Sequence, residues 1–128
     1  MLDQGALIEG LARQMIDSAF KVHKALGPGL LESVYEHCLC HELSKRGLDI
    51  ARQVAVPVVY DGEKLDAGLK LDVIVGGKII LEIKAIERIL PVHRAQLLTY
   101  MKLTGCKLGF LLNFNVPVIK DGIHRLVL

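Results

Sequence analysis

Apolar residues recur at the helical period through residues 6–25, at Leu7, Leu11, Met15, Phe20 (with Ala19) and Val22. Arg13, Gln14, Asp17, Lys21 and Lys24 fill the opposite side, so the spacing predicts a helix that buries the first set. Gly27-Pro28-Gly29 ends it, because glycine suits the C-terminal cap and Pro28 blocks continuation. A second helix is expected over about 30–45, with Leu31, Val34, Tyr35, Cys38, Leu39 and Leu43 inward and Gly47 beyond its end. The period then falls to two. Residues 50–60 read as a strand, and Pro57, which cannot donate to a ladder, puts it at a sheet edge or near its end. Asp61-Gly62 signals a hairpin turn into a strand over about 64–75, kinked at Gly68. Gly76-Gly77 turns the chain into a third strand over 78–84. Pro91 opens a helix through Thr104 with Leu97, Leu98 and Met101 inward, and Gly105 closes it. Residues 107–114 form a strongly apolar strand expected at the sheet centre, and Asp121-Gly122 leads into a last strand over 123–127. The order α-α-β-β-β-α-β-β predicts an α/β fold, a mixed β-sheet flanked by helices, in a single domain over 1–128.

Composition narrows the classes. The hydrophobic share is 52%, high for a small chain, yet a Lys, Glu or Asp interrupts every apolar run before it reaches the length of a membrane span. Surplus apolar surface in a small domain points towards a homodimer or other homo-oligomer. The opening MLDQGALIEG lacks a basic region ahead of an apolar run, which argues against a secretory signal. Cys38, Cys40 and Cys106 are an odd count without framework spacing and read as reduced thiols, so a cytoplasmic location is expected. A net charge of +2 is too small to argue for nucleic acid by itself.

Candidate chemistry concentrates between Asp72 and Tyr100. Asp72 lies on one arm of a hairpin, and Glu82-Ile83-Lys84 on the other. Register decides whether the two carboxylates meet, because side chains alternate faces along a strand. A two-residue Gly76-Gly77 loop pairs Val75 with Lys78 and points Asp72 and Glu82 to opposite faces. A three-residue loop through Lys78 pairs Val75 with Ile79 and sets Asp72 opposite Glu82; a bulge would do the same. A metal site therefore requires the longer loop or a bulge. In that register Asp72 and Glu82 would bind Mg²⁺ or Mn²⁺, hard cations that prefer oxygen ligands. The Ile83 carbonyl would be a further ligand, Glu32 would complete the acidic cluster, and Lys84 would orient a water or offset charge on a phosphate. The same residues also read as a solvent-facing Asp72 and an ordinary Glu-x-Lys ion pair, but a charged pair inside IILEIKAI needs a reason.

Asp72, Glu82-Ile83-Lys84 and Gln96-Leu97-Leu98-Thr99-Tyr100, in that order, resemble the PD-(D/E)XK nuclease superfamily, in particular its RecB-like branch with a Q-x-x-x-Y helix. Gly29-Leu30-Leu31-Glu32-Ser33-Val34-Tyr35 is similar to the G-x-x-E-x-x-Y run that names the GxxExxY family within that superfamily. The resemblance covers nearly the whole chain, from about Phe20 to the final DGIHRLVL. It implies a restriction-endonuclease-like core and a metal-dependent nuclease, acting on DNA more than RNA. Asp72 and Glu82 then match metal-binding acids, Lys84 the catalytic lysine and Glu32 the helical acid. Gln96 and Tyr100 match the supporting or nucleic-acid-contacting helix. Leu71 stands where the superfamily name has proline, a departure common in the RecB-like branch.

Other clusters carry less. His37, Cys38, Cys40 and His41 invite a zinc reading, but no second ligand cluster completes a tetrahedron, and buried thiols beside surface histidines explain them. His93 and Arg94 at the start of the third helix, and Lys24, are candidate nucleic-acid contacts. Two rival readings remain, a non-catalytic module binding nucleic acid or protein on the same fold, and a small-molecule phosphoesterase. A DNA-binding enzyme should gather Lys21, Lys24, Lys84, Arg88 and Arg94 into one basic rim.

Overall fold

The computed structural model describes residues 3–66 and 68–128. Helix α1 (Gln4–Leu26) is started by Asp3, whose side chain accepts from the Ala6 N–H at 2.7 Å, and ends at Gly27 in a positive-φ conformation. Helix α2 (Glu32–Lys45) follows, and then strands β1 (Ile50–Ala55), β2 (Val58–Tyr60), β3 (Glu63–Leu65), β4 (Lys70–Val75) and β5 (Ile79–Lys84). Helix α3 (Pro91–Thr104), strand β6 (Leu108–Asn113), a 3₁₀ turn (Ile119–Gly122) and strand β7 (Ile123–Val127) complete the order.

Five strands form one mixed sheet in the order β1-β4-β5-β6-β7, in which β5 and β6 are parallel and the other neighbours antiparallel. A parallel pair needs a crossover, and α3 supplies it. Helices α1 and α2 cover one face, where Met15, Ala19, Tyr35, Leu39 and Leu43 pack on Val73, Leu81, Ile83 and Phe110. Helix α3 covers the other, with Leu97, Tyr100 and Met101 against Ile80, Leu111 and Leu126. Both faces being covered, β6 is buried along its whole length, as its unbroken apolar run predicts. Gly109 within it admits α3 closely: a Cβ there would stand 2.9 Å from the Met101 sulfur. The result is the mixed, helix-flanked sheet of a restriction-endonuclease-like fold. Among the described residues no helix is long and apolar enough to cross a membrane.

Two features differ from expectation. The strands read over 50–60 and 64–75 each break in two. Val56 N–H still donates to Leu69 O at 2.9 Å, but Pro57 has no N–H for the next rung, and β2 and β3 pair separately around Asp61-Gly62. Several residues expected inside also face solvent. Phe20 sits about 100° round the helix from Ala19, which takes the inward place. Leu7 and Val34 are exposed too, and Leu31, which caps α2, is 73% exposed. Leu98 is only half-buried, and Tyr100 takes its place on the inner side of α3.

Candidate active site

The register question is answered by the turn between β4 and β5. Val75 pairs with Ile79, Lys78 N–H closes the loop onto Val75 O at 3.0 Å, and Gly76 and Gly77 both carry positive φ, so the loop has the longer form. Val73 then pairs with Leu81, and the next step sets Asp72 opposite Glu82. There the ladder changes character. Asp72 N–H donates to Glu82 Oε1 at 3.2 Å, and Ile83 N–H donates to Asp72 Oδ2 at 2.8 Å. Each carboxylate thus binds a backbone N–H of the opposing strand where a rung would otherwise form. The strand also turns over at this point, because Val73 packs on the α1–α2 side and Leu71 on the α3 side.

A third carboxylate arrives from α2, and it is Glu36. Its Oε1 accepts from Gln53 Nε2 at 2.8 Å and its Oε2 pairs with Arg52 Nη2 at 2.9 Å; both partners lie on β1. Glu32, the acid expected in this place, is the first residue of α2, exposed and one turn nearer the helix start. A carboxylate there faces the positive end of the helix dipole. Tyr35 explains the rest of the G-x-x-E-x-x-Y run. Its hydroxyl donates to Gly27 O at 2.6 Å and accepts from Leu30 N–H at 3.0 Å, and its ring stacks on Phe114 at 4.6 Å. It ties the turn between the helices instead of facing the acids.

The electrostatics follow from burial. Glu82 is 5% exposed, and its carboxyl is pushed up to about 8, first by burial and then by the Asp72 charge. The bond from Asp72 N–H and the Lys84 ammonium oppose that rise, while Glu36 adds to it. Burial also raises Asp72, with the Ile83 N–H and Lys84 opposing and Glu36 reinforcing. Lys84 lies two residues beyond Glu82 on the same face, half-buried. Its backbone is held from β6, where Phe114 N–H donates to Lys84 O at 2.9 Å. Buried Asn113 fixes the following loop through both backbone groups of Ile86, at 3.1 and 3.0 Å. On α3, Gln96 Nε2 donates to the Tyr100 hydroxyl at 3.1 Å. Burial raises Tyr100, the Glu82 and Asp72 charges raise it further, and the Gln96 bond opposes them. Its hydroxyl therefore feels the acid pair, while Gln96 is exposed at the rim. Cys40, beside Arg52, is pushed up to about 11 by burial and stays a thiol.

The remaining expected contacts are dispersed. His93 Nδ1 accepts from Leu90 N–H at 2.9 Å, a helix-start bond, and Arg94 Nη2 lies 3.0 Å from His124 Nδ1. Lys24 is exposed on α1, and Lys21 pairs with Glu42 at 3.3 Å. Since α1 and α3 cover opposite faces of the sheet, Lys21, Lys24 and Arg94 do not share one rim. His37 and His41 are exposed, while Cys40 is buried and Cys38 half-buried.

The donor chemistry fits a hard divalent cation. Asp72, Glu82 and the Ile83 carbonyl offer only oxygens, with the Lys84 charge beside them and Glu36 paired to Arg52. Among the described residues, no three His, Cys, Asp or Glu side chains converge on one metal-binding point as they stand, so the Asp72–Glu82 pair is the nucleus of the set. Sequence reasoning missed Glu36, Gln53, Arg52 and Asn113. Only Glu36 left a signal: it lies four residues before Cys40 on an otherwise apolar stripe.

Residues 9–126 match the family described as the PD-(D/E)XK nuclease superfamily, whose members generally use divalent metals. No curated protein and no solved structure matches the chain. The family match runs from within α1 into β7 and takes in β1 to β6 and the crossover helix, and on that ground the chain belongs to the PD-(D/E)XK nuclease superfamily.

Proposed function

We propose that this protein is a metal-dependent nuclease that hydrolyses phosphodiester bonds, in DNA before RNA, with Mg²⁺ or Mn²⁺ held by Asp72, Glu82 and the Ile83 carbonyl. The observation that carries the reading is the three-residue loop, which sets the buried Glu82 carboxylate opposite the half-buried Asp72 on the adjacent strand. Two like charges kept out of water raise each other's proton affinity, and a cation between them removes that cost. A divalent ion supplies Lewis-acid chemistry, polarising the phosphate and making a water more acidic. Lys84 holds the attacking water or donates to a phosphate oxygen as charge develops on it. Tyr100 and Gln96 border the acids from α3 and contact the substrate strand, and His93 and Arg94 at the start of that helix meet a flanking phosphate. Glu36 takes the place of the helical acid. Within the superfamily, the Gly29–Tyr35 and Gln96–Tyr100 runs support the GxxExxY group of the RecB-like branch.

The dispersed lysines and arginines favour a second reading, a non-catalytic module that binds nucleic acid or protein on this fold. Titration with Mn²⁺ by calorimetry, followed by cleavage assays on single- and double-stranded DNA and RNA, separates the two. For the nuclease, wild type binds and cleaves, and both properties fall at least about 100-fold in Asp72→Asn and in Glu82→Gln. Metal binding without cleavage of any substrate would favour the module.

A further inference from the structure

Among the described residues only two non-glycines carry positive φ, Gln53 at 49° and Asp61 at 50°. Asp61 sits in the two-residue turn between β2 and β3, where aspartate is at home. Gln53 lies in the middle of β1, where the left-handed conformation is a strain that glycine would avoid. The β1–β4 ribbon turns over at this rung. Ile50 and Val73 pack on the α1–α2 side, and Val54 and Leu71 on the α3 side. Pairing runs through Arg52–Val73 and resumes at Val54–Leu71, so Gln53 stands opposite Asp72. The turnover explains why some residue here leaves the β region. It does not explain glutamine.

The side chain does. Gln53 Nε2 carries two hydrogens and stands 2.8 Å from Glu36 Oε1 and 3.5 Å from Asp72 Oδ1, one firm bond and one long one. We propose that Gln53 is a positioning residue whose amide, set between the Glu36 and Asp72 carboxylates by a strained backbone, aims Asp72 at Glu82. Without it the two acids face each other with no donor between them, and Asp72 is free to swing from the Ile83 N–H. The inference rests on the reading of Asp72 and Glu82 as a metal site. Strain retained where a side chain performs a task is the trade expected of a functional position.

The test uses the full chain in two measurements, thermal unfolding in EDTA and Mn²⁺ calorimetry at pH 8, for wild type, Gln53→Gly, Gln53→Asn and Glu82→Gln. Gln53→Gly relieves the backbone and should unfold at or above the wild-type temperature, while its Mn²⁺ affinity falls about tenfold. Gln53→Asn tolerates the left-handed backbone but is one methylene too short to bridge; it should weaken Mn²⁺ similarly, and it decides the matter if the glycine variant fails to fold. A purely structural glutamine would behave oppositely, lowering the unfolding temperature and leaving affinity unchanged. Wild-type affinity in both Gln53 variants, with binding lost in Glu82→Gln, would overturn the positioning role and leave the metal site standing. Wild type that binds no Mn²⁺ would overturn both.

Discussion

The two ends of the β4–β5 hairpin are built from the same twelve residues of strand and do opposite things. At the closed end, Val75, Ile79, Val73 and Leu81 are fully buried and pair rung by rung from the glycine loop. One step further the rungs are replaced by carboxylate-to-N–H bonds, made by the buried Glu82 and the half-buried Asp72. The closed end gains free energy from apolar burial. The open end loses it, because desolvated carboxylates of like charge oppose one another. The lesson lies in the coupling: a dry, register-locked end holds the strands so firmly that the other end can keep two acids face to face. Strands of uniform character would have no reason to open at Asp72.

The largest effect should come from loosening the closed end. Leu81→Ala removes a fully buried side chain and should cost about 3 kcal/mol in denaturant unfolding, with Mn²⁺ affinity of the folded protein unchanged. If affinity falls along with stability, the two ends are not separable.

Next comes pH. Glu82 is raised from 4.5 to about 8 in the folded protein, so between those values the folded state holds a proton the unfolded chain has released. Its stabilising contribution is complete below the unfolded pKa and is lost as pH rises through about 8. Asp72, raised as well, acts in the same direction. Unfolding in EDTA should therefore show stability lower at pH 9 than at pH 5, by on the order of 2 kcal/mol from this site, with the slope flattened in Glu82→Gln. A metal-free protein that gains stability over that interval would contradict the account of the open end.

The smallest effect distinguishes the two acids of α2. Glu32→Gln should cost about 0.5 kcal/mol through the helix dipole and leave Mn²⁺ affinity alone. Glu36→Gln should weaken the metal severalfold. Equal metal phenotypes would bring Glu32 back into the cluster.

Elements bounded by proline and glycine were legible from the chain. Residues 91–104 and 123–127 have the expected limits, because Pro91, Gly105 and the Asp121-Gly122 turn restrict the backbone locally whatever surrounds it. The meeting of Asp72 and Glu82 was legible in conditional form: they could face each other only in one register, and their separation along a short hairpin left few alternatives. The remainder required the tertiary structure. Gln53 is 17 residues from its partner Glu36, and Asn113 is 27 from Ile86. No periodicity reports how far a helix has slid along a sheet, so the chain pointed to Glu32, whereas the acid that lies by Gln53 and Asp72 is Glu36, one turn further along the helix. Glu36 meets its partners Gln53 and Arg52 only once α2 lies beside β1, and the positive φ at Gln53 accompanies the turnover of two paired strands. Local punctuation and alternation are properties of neighbours in sequence; the contacts that bring Glu36 and Gln53 beside Asp72 come from surfaces that meet only after folding.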